Sequence, residues 1–461
     1  MEGVCFMDLF AVFQGIIKAG PTVLLPLIIF ALAMFFRVPF GKALHSSLVV
    51  GAAFIGLKVI IEFMAKNLGP ATKAMVAEMG VHLNVIDMGF GTVAAIGWSS
   101  PLVPAIVLGI MLLNVVLLVL NKTNTLSVDI WNYHHGLSMG AFVYLDTGNP
   151  VLAVSAGLFT ALVMLKMSDW ASPLISNYYK IEGVTIPALH ALMNLPIVAP
   201  LNLLLDRIPG IRDIDFNMKT LQKWMGPLGQ PLVIGLILGA GIGLCAGYSG
   251  YKSLGLGINM AAAMLLLPKM TGLFVEGLKP ISARAKEITG KKLKGRKIFI
   301  GLDPAILFGD PAVITTALLM VPILIVMAIL LPSNNFLPFA DLGALPYKVA
   351  MCVAVTNGNI FRSLLLCTTA FVPYFYFGTW TGAMVTAAAQ AAGLGDTIPE
   401  GMMISSFTGT TMPITYGIYR AFTGNWMVLV PCLVAACVVG WYLIDRKVIP
   451  NLKIIKDHNE A

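Results

Sequence analysis

Stretches of about 20 mostly apolar residues, the length that crosses a bilayer as a helix, recur along the whole 461-residue chain. They predict spanning helices near residues 20–36, 43–64, 101–120, 128–146, 150–167, 230–247, 253–268, 311–331, 344–357, 360–378 and 425–444. Charged residues make up only 11% of the chain, against about a quarter in soluble domains. The pattern excludes a soluble protein and predicts a membrane protein with about eleven spans.

Four shorter stretches are interrupted by glycine and proline and are too broken to span as regular helices. They lie near residues 84–100, 184–204, 298–310 and 397–416. Non-helical backbone at membrane depth is tolerated only where it is buried in protein or lines a cavity. We therefore expect these stretches to line the path of a transported substrate.

The distribution of lysine and arginine predicts the orientation. The formal net charge is +8, but the basic residues lie in the gaps between apolar runs, which disfavours nucleic-acid binding. The positive-inside rule places the densest basic run, residues 279–297, in the cytoplasm. Counting spans from this run places the N-terminus outside, the C-terminus inside, and the gap at 332–343, which has no Lys or Arg, outside.

The chain aligns with itself at an offset of 210 residues, and the matched positions are rare or turn-forming residues. They include Pro21 with Pro231, Pro101 with Pro311, and Trp170 with Trp380. This predicts two repeats, residues 1–212 and 213–424, followed by a final spanning helix and tail at 425–461. Five spans per copy is an odd number, so the second copy is inverted, as in alternating-access transporters. The predicted fold is an all-α polytopic membrane protein with two inverted five-helix repeats and re-entrant segments.

Glycines recur every four residues in the segment GLILGAGIGLCAG. Gly235, Gly239 and Gly243 fall on one face of the expected helix. Small residues on one face let another helix approach closely. We expect this face to pack against a neighbouring helix.

Carboxylates inside membrane segments are costly and mark candidate functional sites. Asp87 and Asp303 each open an interrupted stretch. Each one either binds substrate hydroxyls or carries a proton, or it caps the N-terminus of a short helix, where an acid is favourable. Asp310 directly precedes Pro311 and is expected to be a helix cap.

Histidines lie in two of the apolar segments that also carry several polar residues. His135 is in VDIWNYHHGLSMGA, whose polar content predicts a position against a cavity or partner helices and not against lipid. His135 is either a substrate ligand or a structural residue with its hydrogen bonds satisfied. His190 and Glu182 flank a Thr-Ile-Pro break, and both are candidates to line the substrate path. The alternative for Glu182 is a position in a solvated loop. No acid or cysteine lies at ligand spacing from His134 and His135, so we expect no metal site.

Motifs for nucleotide or cofactor chemistry do not appear in the sequence. There is no phosphate-binding loop, nucleotide fingerprint or zinc motif, and the six cysteines form no CxxC pair. The sequence therefore predicts neither a cofactor nor ATP hydrolysis.

Eight short segments together resemble one known family. They are NVIDMG, VDIWN followed by His135, SDW at 168–170, EGVTIP, GPLGQP at 226–231, IGLDPAILFG, LPFADL and GNIFR. The chain resembles, over essentially its whole length, the galactitol-type IIC subunit of the bacterial phosphoenolpyruvate-dependent sugar phosphotransferase system. The resemblance implies a multi-pass protein of the bacterial inner membrane that carries a hexitol. It also implies cytoplasmic partners, the IIA subunit and a IIB subunit whose phosphocysteine phosphorylates the sugar, and no phosphorylation site in this chain.

The related ascorbate-type IIC proteins look like homodimers in which a substrate-holding core domain moves against a dimerising scaffold domain. By motif position, the substrate contacts that the resemblance implies are Asp87, Met88, Gly89, His135, Gly136, Leu137, Ser138, Met139, Leu189, His190 and Asp303. The sequence departs from the galactitol type at Ala188 and Asp310, where that type has histidines. Galactitol or a related polyol or sugar is therefore the expected substrate. Proton-coupled secondary transport of a small polar solute is the alternative.

Overall fold

The computed structural model describes residues 21–78, 80, 83–292, 298–338, 340–398 and 401–424. In this part the chain is mostly helical. The helices are α1 Pro21–Phe35, α2 Phe40–Glu78, α3 Gly89–Trp98, α4 Val103–Val119, α5 His134–Thr147, α6 Pro150–Tyr178, α7 Leu189–Leu192, α8 Leu195–Leu205, α9 Met218–Met225, α10 Pro231–Cys245, α11 Gly250–Lys292, α12 Pro311–Leu330, α13 Leu345–Val355, α14 Ile360–Ala391 and α15 Pro413–Phe422. The strands are β1 Val85–Asp87, β2 Thr125–Ser127, β3 Val184–Thr185, β4 Phe299–Gly301, β5 Phe336–Leu337 and β6 Met403–Ser405.

Five of the described helices are long and apolar enough to cross a membrane, and a sixth span is possible if the bent pair α3 and α4 counts as one. The two helices of that pair meet at 99°. At about 1.5 Å per residue, the 11-residue α13 is shorter than the roughly 30 Å hydrocarbon layer. Eleven regular spans therefore remains a prediction, and the last of them, 425–444, lies outside the described residues.

The four interrupted stretches contain short strands, which corrects the all-α expectation. Two further strands, β2 and β5, complete two small parallel sheets with the orders β5-β1-β6 and β2-β4-β3. Buried backbone groups must find hydrogen-bond partners inside the protein. The sheets provide such partners where the helices are broken.

Each sheet takes its central strand from one half of the chain and its outer strands from the other half. Val85 of β1 pairs with Phe336 and Met403, while Phe299 of β4 pairs with Thr125. The two sheets are therefore built in the same way: β1 of the first half and β4 of the second half each lie between two strands of the opposite half. The two halves are joined through these sheets.

The gap at 332–343 contains both exposed and buried residues. Residues 332 and 333 are exposed, whereas Phe336, Leu337 and Asp341 are buried. Strand β5 of this segment pairs with β1, so part of the gap packs inside the fold. Its position on the outer side of the membrane remains a prediction.

The glycine face of α10 packs against α11, as the four-residue spacing predicts. A Cβ added at Gly239 would lie 2.9 Å from the Cα of Gly257, and one added at Gly235 would lie 3.0 Å from the Cα of Ala261. Helix α11 also packs along α2. These two long helices contact the 3₁₀ turns Pro304–Gly309 and Ala340–Ala344, which are next to the polar residues described below.

Candidate functional site

Asp87 holds the end of β1 to segments from the other half of the chain. Its carboxylate accepts hydrogen bonds from the backbone N–H groups of Gly89 at 2.9 Å, Asp341 at 2.7 Å and Phe407 at 3.1 Å. The side chain is completely buried. The carboxylate therefore holds these segments together through three of its roughly four acceptor positions. Substrate contact through Asp87 remains a prediction.

Met88 and Gly89 continue from Asp87 into α3. Gly89 has a φ of 83°, and a Cβ at this position would lie 3.1 Å from the Cβ of Ala340. Glycine therefore suits this turn because it adopts a left-handed conformation and leaves room for the neighbouring segment. Substrate contact through Met88 and Gly89 remains a prediction.

A buried ion pair, which the sequence reasoning did not identify, lies beside Asp87. The Nζ atom of Lys348 lies 3.5 Å from the Oδ2 atom of Asp341, and both side chains are at most 2% exposed. Lys348 also donates a hydrogen bond to the hydroxyl of Thr408 at 2.6 Å. Asp341 accepts from the Thr408 hydroxyl and from the backbone N–H of Phe90. The lysine within the apolar run LPYKVAM was the available sequence signal.

Three buried histidine rings form a cluster where α5 and α7 begin. The Nδ1 atom of His190 lies 3.0 Å from the Nε2 atom of His135, which is hydrogen-bond distance. The rings of His134 and His135 have centroids 4.0 Å apart. The Nδ1 atom of His134 lies 2.8 Å from the carbonyl oxygen of Trp131. The predicted residues His135 and His190 are thus brought together, and His134 joins them. The expectation of no metal site considered only ligands near His134 and His135 in the sequence, whereas the fold adds His190 from 55 residues away.

The remaining predicted residues of α5 and α7 are buried in helix packing. A Cβ at Gly136 would lie 2.9 Å from the carbonyl oxygen of Gly157 on α6, so these two helices touch through their backbones. The other members of this group are all at most 2% exposed: Leu137, Ser138, Met139 and Leu189. Substrate contact by these five residues remains a prediction.

Asp303 caps a short helical turn and also faces a cavity, and its contact with substrate remains a prediction. Its Oδ1 atom accepts a hydrogen bond from the backbone N–H of Ala305 at 2.8 Å, so it caps the following 3₁₀ turn. It also lines a cavity of about 90 Å³. The cavity is lined by Phe54, Lys58, Glu62, Phe90, Trp131, Asp303, Ala305 and Tyr347. Since a carboxylate has about four acceptor positions, the cap leaves Asp303 able to accept further hydrogen bonds.

Lys58 and Glu62 bring opposite charges to the cavity from α2. Their charged groups are 3.8 Å apart, and both side chains are more than half exposed. Asp303 experiences the positive charge of Lys58 across the cavity. The cavity therefore lies between a long helix and the broken segments, with ionisable groups on both sides.

Aromatic side chains stand between this cavity and the histidine cluster. The ring of Tyr347 packs edge-on against His190, with centroids 4.9 Å apart, and Trp131 lies 5.8 Å from His134. Phe90 contacts both Tyr347 and His190. The carboxylate of Asp129 accepts a hydrogen bond from the backbone N–H of Trp131 and helps to hold this segment. We refer to Phe90, Trp131 and Tyr347 as the aromatic wall.

Asp310 and Glu182 lie away from these groups. Asp310 accepts a hydrogen bond from the backbone N–H of Ala312 at 2.7 Å and caps α12, as expected from its position before proline. Glu182 is exposed. The structure therefore separates the capping carboxylate Asp310 from Asp303, which both caps a turn and faces the cavity.

The fold and the site define a helical membrane protein with a buried polar cluster beside a cavity at a long helix. Residues 15–399 match the EIIC-GAT family, described as the PTS system sugar-specific permease component. The chain belongs to this family. It is the IIC subunit of a sugar phosphotransferase system and is embedded in the membrane.

Two relatives from Escherichia coli strain K12 are similar over most of their length. One is 36% identical over 79% of this chain and 85% of its own, and its name gives the class permease IIC component and no substrate. The other, the galactitol-specific EIIC component of a PTS system, is 32% identical over 89% of this chain and 91% of its own. The predicted family is confirmed, and IIC components of this kind work with IIA and IIB partners and a sugar substrate.

Proposed function

We propose that this IIC subunit carries galactitol or a closely related hexitol, which it presents to a cytoplasmic IIB subunit for phosphorylation. The galactitol-specific relative supports this substrate class. The observation that carries the proposal is the cavity, in which Asp303 is the buried carboxylate. A polyol offers hydroxyl donors along its whole length, and a carboxylate accepts several of them.

The substrate site in this proposal extends from the cavity to the histidine cluster. His135 and His190 each offer ring nitrogens to hydroxyl groups, and the aromatic wall offers apolar faces to the C–H groups of the sugar. Ala188 and Asp310 do not line the cavity, so the departures at these positions leave Asp303 in its proposed role. They are the reason for including related hexitols in the binding test.

Movement of α2 against the broken segments would open this site. A cavity of roughly 150 Å³ holds one benzene molecule, and a hexitol has twice as many non-hydrogen atoms. The cavity of about 90 Å³ is therefore too small for a hexitol unless the aromatic wall and α2 move apart. Such a movement is the change that alternating access requires.

The two inverted repeats, residues 1–212 and 213–424, belong to the same proposal. The exchange of strands between the halves supports it, because β1 and β4 occupy equivalent central positions. The protein acts as a homodimer in the bacterial inner membrane, with its N-terminus outside and its C-terminus in the cytoplasm. The resemblance to ascorbate-type IIC proteins supports the dimer, and the basic run at 279–297 supports the orientation.

Equilibrium binding of a panel of hexitols to purified protein in detergent tests the substrate assignment. Asp303→Asn is the informative variant because asparagine also caps helical turns well but lacks the charge. Loss of a hydrogen bond to a charged group costs about 1.5–3 kcal/mol, which corresponds to a roughly 10- to 150-fold weaker Kd.

Asp310→Asn is the matched control, since Asp310 is also a cap and does not line the cavity. We expect it to bind galactitol as the unmodified protein does. Equal losses of affinity in the two variants would show that Asp303 acts only through the fold. If no hexitol binds to the unmodified, folded protein, the substrate assignment is wrong.

A further inference from the structure

We propose that His134, His135 and His190 form a binding site for a transition-metal dication such as Zn²⁺. Each of the three rings contributes one nitrogen, and these nitrogens all lie within 4.8 Å of one another. All three residues are at most 5% exposed. Three histidines with a fourth position open to water are an established ligand set for zinc.

The hydrogen bond of His134 leaves one of its ring nitrogens available to a metal. The Nδ1 atom of His134 is the group that contacts the Trp131 carbonyl, so it carries the proton. Its Nε2 atom is then an acceptor, and it has no hydrogen-bond partner among the described residues. A backbone carbonyl that fixes one ring nitrogen is the usual arrangement behind a metal-binding histidine.

The distances require only local adjustment of the rings. Two nitrogens bound to a tetrahedral zinc at about 2.0–2.1 Å are roughly 3.4 Å apart. The Nδ1 atom of His190 and the Nε2 atom of His135 are 3.0 Å apart, the distance of a hydrogen bond. A metal would replace this bond: the proton between the two nitrogens would move to the other nitrogen of its ring, and the separation would open by a few tenths of an ångström. The most distant pair, at no more than 4.8 Å, would close by rotation of the side chains.

The nearby charged residues include one that opposes a bound cation. The ammonium group of Lys348 lies 3.5 Å from the Asp341 carboxylate, and this ion pair partly offsets the positive charge of the lysine. Imidazole nitrogen suits zinc, copper and nickel better than it suits magnesium or calcium, which defines the class of ion.

A metal at this site would compete with the sugar, a consequence that rests on the proposed roles of His135 and His190 in hexitol binding. Zn²⁺ bound to these rings occupies the same lone pairs that would accept hydroxyl donors. We therefore expect Zn²⁺ to raise the apparent Kd for galactitol. The metal site itself is testable without any sugar.

The test is titration of purified full-length protein in detergent. Zn²⁺ binding is measured by calorimetry, and Co²⁺ binding is measured by visible absorption. We expect one Zn²⁺ per chain and the absorption bands of Co²⁺ in a low-symmetry nitrogen site. His134→Gln should weaken Zn²⁺ binding at least about tenfold and remove the Co²⁺ bands. His190→Gln is a second variant with the same expected result.

His45→Gln is the control, because His45 is exposed on α2 and lies outside the cluster. It should leave both metal signals unchanged. The proposal is overturned if the folded, monodisperse protein does not bind Zn²⁺, or if His134→Gln and His190→Gln retain the Co²⁺ bands. Either failure leaves the galactitol assignment untouched, since no sugar enters the titration.

Discussion

Replacing Lys348 by methionine should destabilise the protein by an amount that the structure allows us to estimate. The ammonium group is buried, 3.5 Å from the Asp341 carboxylate, and donates to the Thr408 hydroxyl. Methionine has a similar length and fits the apolar surroundings of α13. The main effect of the change is therefore the loss of a positive charge beside a buried negative one.

Removing one partner of a buried ion pair costs roughly 3–5 kcal/mol, because the other charge remains buried without compensation. The carboxylate of Asp341 would keep its hydrogen bonds from the Phe90 backbone and from two hydroxyls. We therefore expect the lower end of that range, about 3 kcal/mol. At about 2 °C per kcal/mol for a large chain, the apparent Tm should fall by roughly 6 °C.

A thermal scan with a thiol-reactive fluorescent dye measures this effect. Among the described cysteines, Cys352 and Cys367 are buried and should react on unfolding, whereas Cys245 is exposed. All cysteines that react in the folded protein are blocked beforehand. The control is Lys58→Met, since Lys58 is 53% exposed and exposed pairs contribute about 0–1 kcal/mol. Its Tm should change little.

The double variant Lys348→Met with Asp341→Asn provides the decisive comparison. It removes both charges and keeps an acceptor for the Phe90 backbone, so it should recover a large part of the lost stability. The reasoning is refuted if Lys348→Met changes the Tm no more than Lys58→Met does. It is also refuted if the double variant is less stable than Lys348→Met alone.

Two further stability predictions concern helix contacts and use the same thermal assay. Gly239→Ala should destabilise the protein by about 1–3 kcal/mol through overpacking, because the new Cβ would meet Gly257 at 2.9 Å; Gly241→Ala, with no atom within 4 Å, should be neutral or stabilising. Arg362→Met removes a 2.6 Å ion pair with Asp206, which follows the end of α8, and should lower the free energy of unfolding by about 1–3 kcal/mol. Arg212→Met, at an exposed pair, should cost less than about 1 kcal/mol, and equal effects at the two arginines would contradict the assignment.

Helix breaks were predictable from the sequence because glycine and proline act locally. Each of the four interrupted stretches indeed contains a short strand, followed by a 3₁₀ turn or a short helix and not by one continuous helix. The glycine face of α10 was predictable for the same reason, since spacing along a helix fixes which residues share a face. Capping by Asp310 followed directly from its position before Pro311.

Partners that are distant in the sequence were not predictable from local patterns. Strands of two or three residues carry little periodic signal, and β1 finds its neighbours more than 200 residues further along the chain. Asp341 and Lys348 are close in the sequence, but hydropathy assigned Asp341 to a loop and Lys348 to a spanning helix. Their ion pair was therefore not expected. Lys58 and Glu62 read as an ordinary surface pair on a helix, and only the fold places them beside Asp303.

The candidate site was therefore predictable in its key residues and not in its walls. His135, His190 and Asp303 stood out because polar side chains in apolar segments are costly. The aromatic wall did not, because aromatic residues are common throughout an apolar chain. His134 gained significance only when the structure placed the start of α7 against the start of α5.

The most direct test of the central claim is galactitol uptake in proteoliposomes that contain this protein, with IIA and IIB subunits and phosphoenolpyruvate supplied on the cytoplasmic side. We predict that galactitol phosphate accumulates only when both partners are present, and that at galactitol concentrations below the Kd Asp303→Asn lowers accumulation at least about tenfold while Asp310→Asn does not. Uptake of unmodified galactitol without the partners, lost when the proton gradient collapses, would contradict the account and favour proton-coupled transport.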